Sequence, residues 1–407
     1  MSDRGSDVVV VGAGIVGAAA AYELARRGFA VTLVEAERPA WGASGRNPGY
    51  VWLHTRSAGV QMELALAGRR LYDDLLTELD DFEFRACGGM TYFFEEHEEL
   101  FAAFVEDRRA AGLPMELLDR GAARDACPIL PDSIAGATFN PLDAHIHTQR
   151  LVEAFVAAAE RNGAKLLVDR VTAVSIGRDR CVGVETEMSG RVRADVTVIA
   201  AGVWSGPLLD AVGVRIPIAP MRLQVIETPP IDDIRFEPIL YGPTAIKQYS
   251  FARELPSYDA SAYTHPRELV TPGTEMLELA AQRRDGRILL GCPMDFPGLD
   301  DRTTVGGMGL ALSVLSDHVP ALRDLPIERT WAGLLPETPD ALPVIGQPPQ
   351  LEGLHLATGH VFGNAAGPIT GRVVAELIAG EPTAIDIEAF RVDRPALMDG
   401  PMTHGRW

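Results

Sequence analysis

Basic residues are scarce in this chain. Its 37 lysines and arginines stand against 56 aspartates and glutamates, and the formal charge of −19 argues against nucleic acid or an anionic membrane surface as a partner. Thiols are few as well. Cys87, Cys127, Cys181 and Cys292 are widely spaced with no Cys-x-x-Cys pair, so free thiols are expected rather than a thiolate metal site or a disulfide framework. No apolar run at the N-terminus is long enough to span a bilayer, and no basic segment with a cleavage site precedes one; a cytoplasmic protein without a membrane span is expected. His145 and His147 lie two apart but lack an accompanying cluster of acids or thiols, so no metal is expected. There is no internal repeat.

What is present is apolar and ordered. With 407 residues, 47% of them hydrophobic, the chain can bury a large core, and its length suggests two or three structural units. The organising stretch is 7–35. Val8 to Val11 form a β-branched run suited to a strand buried on both faces, which Gly12-Ala-Gly14-Ile-Val-Gly17 breaks. Small, helix-forming residues follow from Ala18 to Ala25, Gly28 suits a left-handed cap, and Val31 to Val34 make a second buried strand. In such a βαβ unit Gly12 allows the tight turn, Gly14 lets backbone amides approach a pyrophosphate, and Gly17 permits close helix–strand packing. Glu35 is placed to accept hydrogen bonds from a ribose and disfavours a 2′-phosphate. An adenine dinucleotide is the expected ligand.

Further along, Pro39 to Gly49 reads as a loop beside the dinucleotide, residues 60–80 as a one-faced helix, and 90–94 as a strand. A helix with an acidic start is expected over 95–111, and another over 148–162 that Gly163 stops. Short strands are expected at 165–169, 171–176, 181–187 and 191–193, then a buried strand from Val196 in the same sheet as Val8–Val11. The proline-rich region 217–326 reads as an antiparallel domain inserted into the first. The chain then returns to the nucleotide unit near Trp331, with a strand at 353–358, a glycine-rich turn at 359–368 and a helix at 369–378. From Pro382 an extended surface tail is expected, with disorder near Trp407.

Four separated stretches, GAGIVG with Glu35, Ala-Ser-Gly-Arg-Asn at 43–47, Ile-Ala-Ala-Gly-Val-Trp at 199–204, and the pair at 331–346 and 359–371, together resemble FAD-dependent amine and amino-acid oxidoreductases of the D-amino-acid oxidase, glycine oxidase and sarcosine oxidase type. The resemblance implies an α/β fold: a discontinuous Rossmann-like FAD-binding domain (1–85, 145–216, 327–385) interleaved with an antiparallel-sheet substrate domain (86–144, 217–326), and a tail at 386–407. It implies that Gly12, Gly14, Gly17 and Glu35 hold the ADP half of FAD, with Val171 near the adenine and Ala201-Gly202 under the pyrophosphate. It also places Ser44, Gly45, Arg46 and Asn47, together with Gly359, His360, Val361, Phe362, Gly363 and Asn364, beside the isoalloxazine.

The activity implied is oxidation of an amine or amino-acid carbon–nitrogen bond by hydride transfer to flavin N5. The imine then hydrolyses, and oxygen reoxidises the flavin to give hydrogen peroxide. A dehydrogenase passing electrons to a quinone or partner subunit is the alternative, and a flavin-binding subunit without turnover is another. The oligomeric state stays open. Sarcosine oxidases tether flavin through a cysteine where this chain has Gly333, so FAD is expected to be non-covalent. The cations that clamp a substrate carboxylate in these families fall here on Leu335, on Phe362 or Gly363, and on Trp52. A more apolar, aromatic pocket is therefore expected, with Tyr249 lining it and Arg222 or Arg253 as a relocated clamp. Lys247 lies in a Gly-x-x-x-Ile-Lys context similar to that of the oxygen-activating lysine of sarcosine oxidases, on an expected strand. With His360 it is assigned a catalytic place.

Overall fold

The computed structural model describes residues 6–402. Val8 and Val10 point into one apolar layer and Val9 and Val11 into another, as expected of a strand covered on both faces. That strand, Ser6–Val11, pairs in parallel with Val31–Glu35 on one side and Gly190–Ile199 on the other, and Lys165–Val168 and Leu354–Thr358 extend the parallel sheet outward. Val344–Gly346 closes one edge antiparallel, and the hairpin Val171–Gly177 and Arg180–Thr186 folds off Gly190–Ile199. The segments expected as separate strands at 191–193 and from Val196 are one strand, because an uninterrupted extended chain serves the hairpin with one half and the parallel sheet with the other.

The helix Ile15–Arg26 crosses Gly363–Ala379 closely. A Cβ at Gly371 would lie 2.6 Å from both the Ala19 Cβ and the Ala20 nitrogen, so the small residues of both helices set their spacing. Val60–Glu78 and Thr148–Arg161 pack beside them, and the residues from Glu95 to His97 form a 3₁₀ turn before the helix Glu98–Ala110.

The second sheet has eight strands in the order Arg329–Glu337, Ala219–Glu227, Ile288–Asp295, Glu275–Gln282, Ile239–Tyr241, Gly89–Phe93, Gly136–Asn140, Glu116–Asp119. Its pairs are antiparallel except Ile239–Tyr241 with Gly89–Phe93. Along Glu275–Gln282, Met276 and Ala280 face a layer capped by the helix Val305–His318, whereas Leu277, Leu279 and Ala281 face the first sheet. Arg329–Glu337 is an edge strand of this sheet, paired along all of Ala219–Glu227, so the chain crosses back after Glu337 and not near residue 327.

Two further expectations are corrected here. Lys247 is not on a strand: Pro243 opens a 3₁₀ helix, Pro243–Gln248, directly after the short strand Ile239–Tyr241. The tail is not merely extended, because Phe390 and Leu397 are buried and Arg394 forms a bidentate pair with Asp340 at 2.6 and 2.9 Å. The expectation about Trp407 lies outside the described residues.

Candidate active site

Between the two sheets runs one long cleft of roughly 510 Å³, within the size range of ligand pockets. Its floor at one end is the first glycine turn. Gly12 has φ +98°, and a Cβ there would come 2.6 Å from the Ala200 carbonyl oxygen; one on Gly14 would lie 3.1 Å from Ser44 Oγ. Gly17 does not line the cleft, because its Cβ would meet the Gly12 oxygen at 1.9 Å; it lets the helix sit against the turn. Gly45 likewise packs on Ala40 within its loop. The helix Ile15–Arg26 begins at Gly14 without a cap from its own N-terminal residue, and the Ile15 N–H donates to Ser44 Oγ at 2.9 Å. Glu35 ends the second strand in the cleft wall, accepting from the Ala13 and Glu37 N–H groups at 2.8 and 3.0 Å. Val171, Ala201 and Gly202 line the same end. A floor without room for side chains, a helix N-terminus turned toward it and an acid at the strand end together fit an adenine dinucleotide.

The far end is built by two asparagines. Asn47 Oδ1 accepts from Asn364 Nδ2 and Thr148 Oγ1, both at 2.9 Å, while Tyr72 donates its hydroxyl to the Asn364 carbonyl at 2.6 Å. These bonds fix the loop at 44–47 against the turn at 359–364, and the helix Gly363–Ala379 directs its positive end into the cleft. His360 lies in the wall, bonded through Nε2 to Thr370 at 2.9 Å, and burial pushes its pKa down to about 3. Arg46 is ion-paired with Asp301 and lies over the Trp41 ring. Gly333 sits beside the Arg46 side chain outside the lining, and none of the four cysteines lines the cleft.

Trp52, Tyr249, Leu335 and Phe362 all line the cleft, giving it the aromatic character expected from the sequence. Trp52 stacks on His54 at 4.5 Å and lies 4.2 Å from Tyr241. Behind it, His54 is held between Asp143 Oδ2 at 3.1 Å and Thr138 Oγ1 at 2.7 Å, and burial lowers its pKa.

The cation of the cleft is not marked by any motif in the sequence. Arg56 is 1% exposed, lines the cleft, and lies over the Phe362 ring. Its Nη2 donates to Thr55 Oγ1 at 3.0 Å, but among the described residues Nε and Nη1 have no hydrogen-bond partner. Burial lowers its pKa to about 10, which leaves it a cation at neutral pH. Burying a cation with unsatisfied N–H groups is costly. Thr55 Oγ1 also accepts from Trp52 Nε1 at 2.9 Å and is hydrogen-bonded to Tyr249, so one hydroxyl ties three wall residues together. The only signal in the sequence was a polar triplet, His54-Thr55-Arg56, between an apolar strand and a helix.

Three expected cations fall elsewhere. Arg222 is buried in a bidentate pair with Asp295, at 2.8 and 2.5 Å, and donates to the Arg302 carbonyl at 2.7 Å; its hydrogen bonds are spent outside the cleft. Arg253 is exposed. Lys247 is buried against Glu268 at 2.6 Å and lines a different cavity. His145 is held by the Pro48 carbonyl at 3.0 Å, and the His147 ring caps the helix Thr148–Arg161.

Residues 7–377 match the family described as FAD dependent oxidoreductase. The hydrogen cyanide synthase subunit HcnC of Pseudomonas protegens is 27% identical, over 95% of this chain and 96% of that protein. The glycine oxidase of Pseudomonas aeruginosa is 29% identical over 95% and 97%. The crystal structure of glycine oxidase from Geobacillus kaustophilus superposes with a TM-score of 0.82 at 25% identity, covering 96% of this chain and 98% of that one.

Proposed function

We propose that this chain, which belongs to the FAD dependent oxidoreductase family, oxidises the carbon–nitrogen bond of an amine that also carries a carboxylate. FAD is its cofactor, and when bound it supplies the two-electron acceptor for that oxidation. The observation that carries the reading is Arg56, a buried guanidinium in the cleft whose Nε and Nη1 have no hydrogen-bond partner among the described residues. A carboxylate that accepts a charge-assisted hydrogen bond from this guanidinium offsets the burial of the charge. Trp52, Tyr241, Tyr249, Leu277 and Leu279 enclose the rest of the substrate and keep water out. Their apolar surroundings favour the neutral amine, the form from which the carbon next to nitrogen loses its hydrogen. The imine product hydrolyses in water.

His360 stays neutral in this account. Its pKa near 3 places its titration below the working range, so pH profiles of kcat/KM between pH 5 and 9 should keep their shape in His360→Gln. An inflection present in the native protein and lost in the variant would make His360 an acid–base residue.

Because residue 333 is glycine and no thiol lines the cleft, acid precipitation should leave yellow FAD in the supernatant. Flavin retained in the pellet would mean a covalent link.

A second reading concerns the electron acceptor. No lysine lines the cleft, and Lys247, on which the expectation of oxygen activation rested, is paired with Glu268. This favours a quinone or partner subunit over oxygen as terminal acceptor, in keeping with the likeness to HcnC. The experiment is anaerobic mixing of the holoprotein with a panel of primary and secondary amino acids, followed by reoxidation with oxygen or with an artificial dye. Bleaching by at least one amino acid supports the function, and peroxide formation against dye reduction separates the acceptors. Flavin that no member bleaches overturns it.

A further inference from the structure

A buried imidazole stands behind the aromatic wall of the cleft. Trp52, which lines the cleft, lies flat on His54, with ring centroids 4.5 Å apart and planes 7° from parallel, and the imidazole also stacks on Phe104 at 5.7 Å. Both of its nitrogens are engaged. Nδ1 lies 3.1 Å from Asp143 Oδ2 and Nε2 lies 2.7 Å from Thr138 Oγ1. Burial lowers the His54 pKa, so the neutral ring donates from Nδ1 to the carboxylate and accepts at Nε2 from the hydroxyl. Asp143 is anchored in turn: its Oδ1 accepts from the Leu53 N–H at 2.6 Å and from Asn140 Nδ2 at 3.0 Å. One carboxylate thus holds both the backbone beside Trp52 and the ring beneath it.

The indole has little freedom on its other sides. A Cβ on Gly89 would lie 2.4 Å from both Trp52 Cζ3 and Asp143 Oδ2, so the strand Gly89–Phe93 presses on the indole and the acid at once. Tyr241 lies 4.2 Å away, centroid to centroid. The position of the indole also passes along the chain, because Trp52 Nε1 donates to Thr55 Oγ1 at 2.9 Å and the same oxygen accepts from Arg56 Nη2 at 3.0 Å.

We propose that His54 is a positioning residue for this site: locked by Asp143 and Thr138, its ring is the platform that holds the indole of Trp52, and through Thr55 the guanidinium of Arg56, in the geometry that receives the substrate. It rests on the proposed amine oxidation only for the substrate used as a probe.

The test compares the FAD-loaded native protein with His54→Leu and His54→Phe. Leucine removes the ring and both hydrogen bonds, whereas phenylalanine keeps a ring under Trp52 and removes only the bonds. Both variants should unfold at lower urea, since each leaves the buried Asp143 short of a donor. Only leucine should release Trp52. The near-ultraviolet circular dichroism band of Trp52, obtained by difference from Trp52→Phe, should collapse in His54→Leu and persist in His54→Phe. In anaerobic flavin reduction the apparent Kd of an amino acid should rise roughly three- to tenfold in the leucine variant alone, the scale of one aromatic pair, with the limiting rate close to native. An unchanged band or an unchanged Kd in His54→Leu overturns the proposal, as does a Kd that rises equally in both variants in step with lost stability. If His54→Leu does not fold, Thr138→Val, which removes only the bond to Nε2, takes its place: a weakened band with a raised Kd supports the proposal, and native values of either overturn it. Flavin that no amine bleaches would refute the proposed oxidation, while the band would still decide what His54 does for Trp52.

Discussion

Arg56→Met is expected to lower kcat/KM for amino-acid substrates by roughly a thousandfold while leaving the folded protein as stable as before or more so. The two effects have one cause. Removing one partner of a buried, hydrogen-bonded charge pair costs about 2–5 kcal/mol when the other charge stays behind, and each factor of ten in rate corresponds to about 1.4 kcal/mol. Within the protein itself, by contrast, Nε and Nη1 have no hydrogen-bond partner among the described residues. Methionine fills much of the same volume beside Phe362 without the desolvation burden. Steady-state kinetics and thermal unfolding of the two proteins check this together. A variant with native kcat/KM would remove Arg56 from the substrate site, and one that loses activity and stability in parallel would make it a structural cation.

Lys247→Met is expected to act on the fold and not on the flavin chemistry. Lys247 and Glu268 are 4% and 8% exposed, and the Glu268 carboxylate also accepts from the His265 and Met276 N–H groups. Loss of the ammonium leaves a buried carboxylate without its counter-charge, which costs about 3–5 kcal/mol. Urea unfolding should show that loss, and the rate of reoxidation by oxygen should stay within about twofold. The opposite pattern, reoxidation slowed roughly a hundredfold in a fully stable variant, is the size of one lost electrostatic donor and would restore Lys247 to the flavin.

These two residues also mark how far the sequence could be read. The nucleotide end was legible because its signals are local. A valine run, three glycines at fixed spacing and an acid at the next strand end lie within 29 residues, and each has its own steric or dipolar reason. The aromatic lining was legible from the positions where family cations are replaced. Arg56 was not, because its place depends on Phe362, 306 positions away, and on Nε and Nη1 finding no hydrogen-bond partner among the described residues. Nothing in a local window distinguishes a buried, under-paired arginine from a surface one. Lys247 shows a different failure. Alternation from Ala245 to Ser250 suggested a strand although both faces were mixed, while Gly242-Pro243 carried the stronger signal, a proline opening a helical turn. The boundary near residue 327 failed because a strand of one sheet reads like a strand of another. Only the pairing of Arg329–Glu337 with Ala219–Glu227 assigns it. Arg222 has the chemistry of a carboxylate clamp, but Asp295 on the neighbouring strand engages it.

The central claim is that this cleft oxidises an amine held by its carboxylate. It is tested most directly by stopped-flow reduction of the bound FAD, without oxygen, using an amino acid that bleaches it and the methyl ester of the same amino acid. The ester keeps the reacting carbon and nitrogen and removes the anion that Arg56 meets. The account predicts that the ester reduces the flavin at least a hundredfold less efficiently, the lower part of the range for an unpaired buried charge, and that the gap closes in Arg56→Met. Equal reduction by acid and ester in the native protein would contradict it.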